Sequence, residues 1–505
     1  MSRCPAPNAL QAPIPAERQS AKRHYGVHPY FTRRPHNVVR RYILHYSAER
    51  DLVLDPFGGS GVTAIEAFLE NRTGIQNDIN PLANFVACGI VGLSEGNSAD
   101  YRLALSELRE RCQTRLKQLQ QMSVEELSIL ERQVRLPENV RLPATADVEH
   151  YYDLFSRRQL LSLAILKDAI DRLNSGPAQK AMLLAWSASL TKLNKTFLSA
   201  EGRAESRGGS SIFSIYRYKV ARNPVELTPW ETFQERAKNI LEAKAEIDKA
   251  IELKRRTSSW LGHFEARAKD IGDLEDEFRG QVDYIFTDPP YGGHISYLDL
   301  STLWNVWLGH APSLEARERE LIVGGEQHHS EEWYTMRLKG CIGACVRMLK
   351  NGHWLSVVFQ HWKVSYFAAI LTGAAEAGAE LKAAISQVGD PIWSMHKKKG
   401  NQTVLAGEMI LTFLKTGQRE KVRNDRTLDV IAVVGDILKD APSRVYGELL
   451  FNQVVMEAWK KSAIGSLDIS KTDFIKIIEH HGWRYDESGH YWVKGRNHKP
   501  TLFAD

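Results

Sequence analysis

Cysteine is scarce in this chain: Cys4, Cys88, Cys112, Cys341 and Cys345 are five among 505 residues, and none belongs to a Cys-x-x-Cys pair. That supports neither a zinc ribbon nor a disulfide framework, so no metal site is expected. Cys341 and Cys345 stand four apart, share one face if the segment is helical, and read as core packing. Long apolar runs are missing as well, and none approaches the about 20 residues of a membrane span. The amino-terminal residues mix proline and charge without the continuous apolar stretch of a secretory signal. A cytoplasmic protein with no membrane partner is the expectation. Excess charge of either sign is also lacking, since 66 Lys and Arg face 61 Asp and Glu. Such a balance permits a nucleic-acid partner without requiring one.

The charge is nevertheless uneven. Residues 1–50 carry nine Lys or Arg against two Glu, and a second basic segment runs through Arg203, Arg207, Arg217, Lys219 and Arg222. A chain of 505 residues is too long for one ordinary domain. Residues 1–22 lack periodicity and are expected to be disordered. Residues 23–98 and 258–417 read as two parts of one α/β core, 99–257 as a helical insertion, and 418–505 as a charged linker with a small terminal module. Within the insertion, Tyr101–Gln121, His150–Leu173, Pro177–Phe197 and Pro229–Arg256 carry helical spacing. The loop Thr196–Arg222 interleaves arginines with Phe213, Tyr216 and Tyr218. It suits either a plain surface loop or a segment that folds over unstacked nucleic acid.

Two stretches carry chemistry. Val282–Tyr291 begins as a buried strand, and Pro289 and Pro290 end it by removing two backbone donors. Open α/β sheets bind ligands at the carboxyl ends of their strands, where such a rigid turn holds the Asp288 carboxylate and the Tyr291 ring in fixed places. Asp51–Ala67 reads as strand, glycine loop and helix. Gly58, Gly59 and Gly61 let the backbone approach a ligand, and the following helix turns its free N–H groups toward it. No Gly-Lys-Ser/Thr follows, which excludes a P-loop. About 20 residues on, a second strand ends in Asp78, where a carboxylate can accept both ribose hydroxyls of a nucleotide. The same residue could instead cap the helix that begins near Pro81. A third strand, His263–Lys269, ends at Asp270, with Asp273 competing for its role.

Asp288-Pro289-Pro290-Tyr291 and Asp55-Pro56-Phe57-Gly58-Gly59-Ser60-Gly61 together resemble the signature of the S-adenosylmethionine-dependent DNA amino-methyltransferases, which act on adenine N6 or cytosine N4. The chain is similar to bacterial adenine-specific DNA methylases. The resemblance implies an α/β fold with a Rossmann-like seven-stranded methyltransferase sheet, to which the helical insertion and the small C-terminal region are added. It implies S-adenosyl-L-methionine as cofactor and DNA as partner, with a restriction nuclease or other defence-system subunit as a further partner. Cofactor binding would fall to Asp55, Pro56, Phe57, Gly59, Gly61, Asp78 and Asp270, the last beside the adenine. Catalysis would fall to Asp288, Pro289, Pro290 and Tyr291. His24–Pro35, aromatic and basic, resembles the segment that packs beside the methionine end of the cofactor; an ordinary amphipathic leader to the next helix is the alternative. Asp288 at the head of its motif, with Asp270, favours adenine N6. Cytosine N4, an RNA base, and a DNA-binding subunit that keeps the pocket only to sense cofactor are the alternatives. Gly292–Ser301 resembles a subgroup that shares the Tyr297-x-Asp299-Leu300-Ser301 run but often carries a zinc ribbon, which this chain lacks.

The remaining strands follow in order: His353–Gln360, Leu381–Val388 and Gly407–Leu414, with helices over Trp333–Leu349 and Tyr366–Ala377, make seven, the last two forming a hairpin. Lys471–His481, followed by apolar runs at Gly482–Tyr485 and Tyr491–Val493, reads as a winged-helix fragment or as a packing module.

Overall fold

The computed structural model describes residues 8–17, 22–199, 208–388, 407–419, 422, 426–486 and 491–495. Helix α1 (His36–Tyr46) leads into strand β1 (Leu52–Asp55), helix α2 (Val62–Leu69), strand β2 (Thr73–Asn77) and helix α3 (Pro81–Gly92). A short hairpin, β3 (Phe197–Ser199) and β4 (Gly208–Ser210), lies within the insertion. Strands β5 (His263–Arg267), β6 (Val282–Thr287), β7 (Leu349–Phe359), β8 (Ala379–Val388) and β9 (Gly407–Lys415) complete the main sheet.

That sheet has seven strands in the order β5-β2-β1-β6-β7-β9-β8. All neighbours from β5 to β7 are parallel; β9 runs antiparallel to both β7 and β8 and forms the expected hairpin with β8. Alternate residues serve opposite faces, as strand geometry demands. Val53, Tyr284 and Phe286 join the core beneath α1 and α2, whereas Leu54 and Ile285 join the core beneath the helices Glu331–Met348 and Val364–Glu376. Every residue of β6 is buried, the mark of a central parallel strand covered on both sides. After β1 the chain builds outward to β2 and β5, then returns to place β6 on the other side of β1. The crevice at this reversal is where such sheets bind ligands.

The insertion between β2 and β5 is helical, but its boundaries differ from those the spacing predicts. His150–Leu173 is not one helix. Ser156 and Gln159 form a reciprocal capping box that starts a new helix, Arg157–Asp171, after a single turn at Tyr151–Leu154. The helix from Pro177 ends at Ser189 rather than reaching Phe197. Ser98–Leu119 and Pro229–Thr257 are the long helices expected. Gly202, Arg203 and Arg207 lie outside the described residues. Residues 8–17, expected to be unattached, lie against the core: the Leu10 N–H donates to the Tyr46 hydroxyl at 2.8 Å and the Ile14 N–H to Gln387 Oε1 at 3.0 Å.

The C-terminal module runs helix Val430–Asp440, strand β10 (Arg444–Val445), helix Gly447–Lys460, helix Lys471–His480, then strands β11 (Trp483–Asp486) and β12 (Tyr491–Lys494). β12 sits between β10 and β11 in an antiparallel sheet, which is winged-helix connectivity. The module also packs: Phe451 and Phe474 bring their rings to 4.8 and 6.2 Å from that of Trp362, just beyond β7. Among the described residues no helix is long and apolar enough to cross a membrane.

Candidate active site

A cavity opens at the carboxyl ends of β1 and β6, and the glycine loop forms one wall of it. Asp55, 5% exposed, closes β1: Phe57 N–H (3.1 Å) and Thr287 Oγ1 (2.8 Å) donate to its Oδ1, and Thr63 Oγ1 (2.8 Å) donates to Oδ2. The carboxyl thus ties the ends of two strands to the first turn of α2. Burial pushes it up to about 7 although these three bonds pull the other way. Gly59 has φ +52° and Gly61 φ +88°, both in the left-handed region that other residues resist. The two glycines do different things. A Cβ on Gly59 would stand 3.3 Å from the Tyr30 ring in the cavity wall; one on Gly61 would stand 2.6 Å from the Ala87 Cβ of α3. Gly61 therefore lets α2 and α3 approach each other and, unlike Gly59, is not part of the cavity wall.

At the end of β2, Asp78 lines the cavity and accepts the N–H groups of Gly59 (2.9 Å) and Asn80 (2.8 Å); burial pushes its carboxyl up to about 6. The cap of α3 is Asn80, whose side chain accepts the Leu82 N–H at 3.2 Å, so Asp78 is free of that duty. Asp270 lines the cavity as the N-cap of helix Ile271–Phe278, accepting the Gly272 N–H at 3.0 Å and ion-paired with Arg337. Asp273, the competitor, is exposed, does not line the cavity and lies 3.5 Å from Arg319.

The opposite wall is the turn after β6. Asp288 and Pro290 line the cavity; Pro289, which is buried, and Tyr291 do not. The Tyr334 hydroxyl donates to the Pro290 carbonyl, and the Tyr291 ring stands edge-on to Phe359 with centroids 5.1 Å apart. Both Asp288 oxygens are engaged. Oδ1 accepts the Tyr291 hydroxyl at 2.6 Å, and Oδ2 accepts Nε of Arg34. Arg34 also donates Nη2 to the Tyr291 oxygen at 2.9 Å and pairs through Nη1 with Glu408 of β9. Burial raises the Asp288 carboxyl above the usual range, and the Arg34 charge opposes the rise.

Sequence reasoning assigned no role to several of these residues. Arg33 is half-buried in the cavity wall, donates Nε to Ser60 Oγ at 3.0 Å and Nη2 to the His28 carbonyl, and has no carboxylate partner among the described residues; loss of solvent lowers its guanidinium to about 10. Glu320 is 8% exposed, lines the cavity and accepts the Leu298 N–H at 3.1 Å, and burial pushes it up to about 8. The aromatic and basic loop before α1 was a signal for Arg33 and Arg34. No spacing marks Glu320 or Glu408.

The insertion helps hold that loop. His28 donates Nδ1 to its neighbour's carbonyl at 2.7 Å, and its Nε2 therefore accepts the Ser187 hydroxyl at 3.0 Å. Burial lowers this imidazole to about 3, which keeps it neutral. Phe31 packs against Phe213 and Tyr297 with ring centroids 5.6 and 5.7 Å apart. Arg33 and Arg34 thus extend from a backbone clamped between insertion and core.

Residues 12–84, from the leading segment through α1, the glycine loop and β2 into α3, match a family model described as DNA methylase, of the N6/N4 type. The match does not extend to Asp288. No curated protein matches the chain.

Proposed function

Starting from residues 12–84 as those of an N6/N4 DNA amino-methyltransferase, we propose that the protein methylates the exocyclic N6 amine of adenine in DNA, on a nucleotide turned out of the duplex, with S-adenosylmethionine as donor. The observation that carries this reading is the meeting of Gly59 and Asp288 at one cavity, although they lie 229 positions apart in the chain. The cavity wall suits the donor. Asp78 faces it as an acceptor for ribose hydroxyls, Arg33 offers a cation without a carboxylate partner for an amino-acid carboxylate, and Gly59 brings bare backbone close. S-adenosylmethionine supplies an activated methyl group: the amine nitrogen forms the new N–C bond, the S–C bond breaks with its electron pair going to sulfur, and one amine proton is released.

The amine is a poor nucleophile because its lone pair is delocalised into the base. Hydrogen bonds from its protons to the Asp288 carboxylate and the Pro289 carbonyl favour a tetrahedral nitrogen and aim the lone pair. The target must leave the stack to reach them, and Tyr291 offers a ring to receive it. Asp288 at the head of its motif, together with Asp270, supports adenine over cytosine.

Transfer of labelled methyl groups to unmethylated genomic DNA and to tRNA, followed by nucleoside analysis, tests this. N6-methyladenine in DNA is expected. N4-methylcytosine would shift the target base, label confined to tRNA would shift the substrate, and no label in either would leave a cofactor-sensing subunit.

A further inference from the structure

Each oxygen of Asp288 already accepts a hydrogen bond, one from Tyr291 and the other from Arg34, on the side of the carboxylate that a target amine would approach beside the Tyr291 ring. We propose that Arg34 is a positioning residue that stands in for the target amine at Asp288 while no base is bound, and that Glu408 retains its guanidinium when the base takes its place. The inference rests on the methyltransferase reading and adds a residue to it.

Three observations converge on this side chain. Its Nε donates to Asp288 Oδ2, an oxygen for which an amine proton would compete. Its guanidinium carbon lies 5.6 Å from the centre of the Tyr291 ring and its Nη2 bonds the Tyr291 hydroxyl, so it also stands where a base would meet that ring. A different nitrogen, Nη1, is held by Glu408. Separate nitrogens on separate acids allow one bond to be released while the other persists. The backbone here is restrained, because Pro35 narrows the conformations open to residue 34 and α1 begins at His36. The exchange is therefore a rotation of side-chain torsions between staggered wells.

Arg34 also sets the charge of its partner. The titratable groups that face Asp288 are Arg34 from the clamped loop, Tyr291 from its own turn, Glu408 from β9, Asp55 from β1 and Tyr297 from the next helix. Arg34 is the one cation among them. Without it, burial and two neighbouring acids would drive Asp288 toward the protonated form, which offers one acceptor fewer.

Arg34→Gln, Arg34→Lys and Glu408→Gln in the full-length chain test this, read by donor affinity in calorimetry, by 2-aminopurine fluorescence in duplex DNA, and by the pH profile of kcat/KM. Arg34→Gln is expected to keep donor affinity within about twofold, to retain the fluorescence rise of an extruded base, and to move the acid limb of the profile up by about one pH unit. Arg34→Lys restores the position of that limb. Glu408→Gln leaves Arg34 seated on Asp288 and raises KM for DNA several-fold. An acid limb unmoved in Arg34→Gln, or lost fluorescence, overturns the inference, as does an unchanged KM in Glu408→Gln. If Arg34→Gln does not fold, the limb is read in Arg34→Lys against the wild type, where a shift larger than that of Glu408→Gln would overturn it. A wild type that transfers no methyl refutes the parent reading and takes this one with it; a wild type that transfers, with unresponsive variants, refutes only the role of Arg34.

Discussion

The two loops that meet at the cavity are fixed in opposite ways. The glycine loop is held mainly by neighbours in sequence: Phe57 N–H and Thr63 on Asp55, the Asn77 side chain on the Pro56 carbonyl (3.0 Å), the Gln76 amide on the Gly59 carbonyl (3.0 Å), and Asp78 on the Gly59 N–H. Thr287 and Arg33, which bond Asp55 and Ser60, are contributors from outside the segment. The Asp288–Tyr291 turn is held by residues from across the chain: Arg34 before α1, Tyr334 in a later helix and Phe359 at the end of β7, with Glu408 of β9 gripping Arg34 in turn. Half of the site is thus built mainly from one contiguous segment. The other half exists only in the assembled fold.

If the halves are independent, variants in the turn should affect transfer and spare donor affinity, and variants in the glycine-loop half should do the reverse. The largest effect is expected for Asp288→Ala. Transfer should fall about 10³-fold or more while calorimetry finds donor affinity within about twofold; loss of both together would show that the loops share one support. Asp78→Ala should weaken donor affinity by about 10- to 100-fold, the cost of a hydrogen bond to a charged group, with the rate at saturating donor largely kept. Tyr334→Phe removes the donor that pins the Pro290 carbonyl, a bond of about 1 kcal/mol, so kcat should drop about fivefold with no change in donor affinity.

The smallest effect concerns stability. A carboxyl held above its unfolded value binds its proton more tightly in the fold, so its stabilising protonated form is present at low pH and its contribution is lost as pH rises toward the folded value. For Glu320 that window runs from 4.5 to about 8, and for Asp55 and Asp78 from 3.8 to about 7 and about 6. Glu320→Gln removes one share of the slope. Its melting temperature relative to wild type should rise by a few degrees between pH 5 and 8, and parallel curves would locate the pH dependence elsewhere.

Much of the sheet was legible before its coordinates. Val282–Thr287 reads as a buried strand because β-forming residues precede a proline pair, and it is one. The break at Ser156 was missed because helical spacing continues through it; its only signs are a serine and a glutamine three apart. In the site, the fold alone shows that Asn80 rather than Asp78 caps α3, and that Asp270 faces the cavity while Asp273 is exposed. Gly61 carries the left-handed φ that a glycine in such a loop suggests, yet what it accommodates is Ala87.

Backbone constraints act within a few residues, and they were readable from composition alone. Two prolines end a strand whatever surrounds them, and a left-handed turn takes glycine whatever packs on it. Side-chain partners are another matter. A hydrogen bond or ion pair forms only over a few ångströms, and whether Arg34 reaches Asp288 and Glu408 depends on how segments hundreds of residues apart stack into one sheet. Residue order announced a glycine loop and a carboxylate on a rigid turn; packing alone brought Arg34 to that carboxylate.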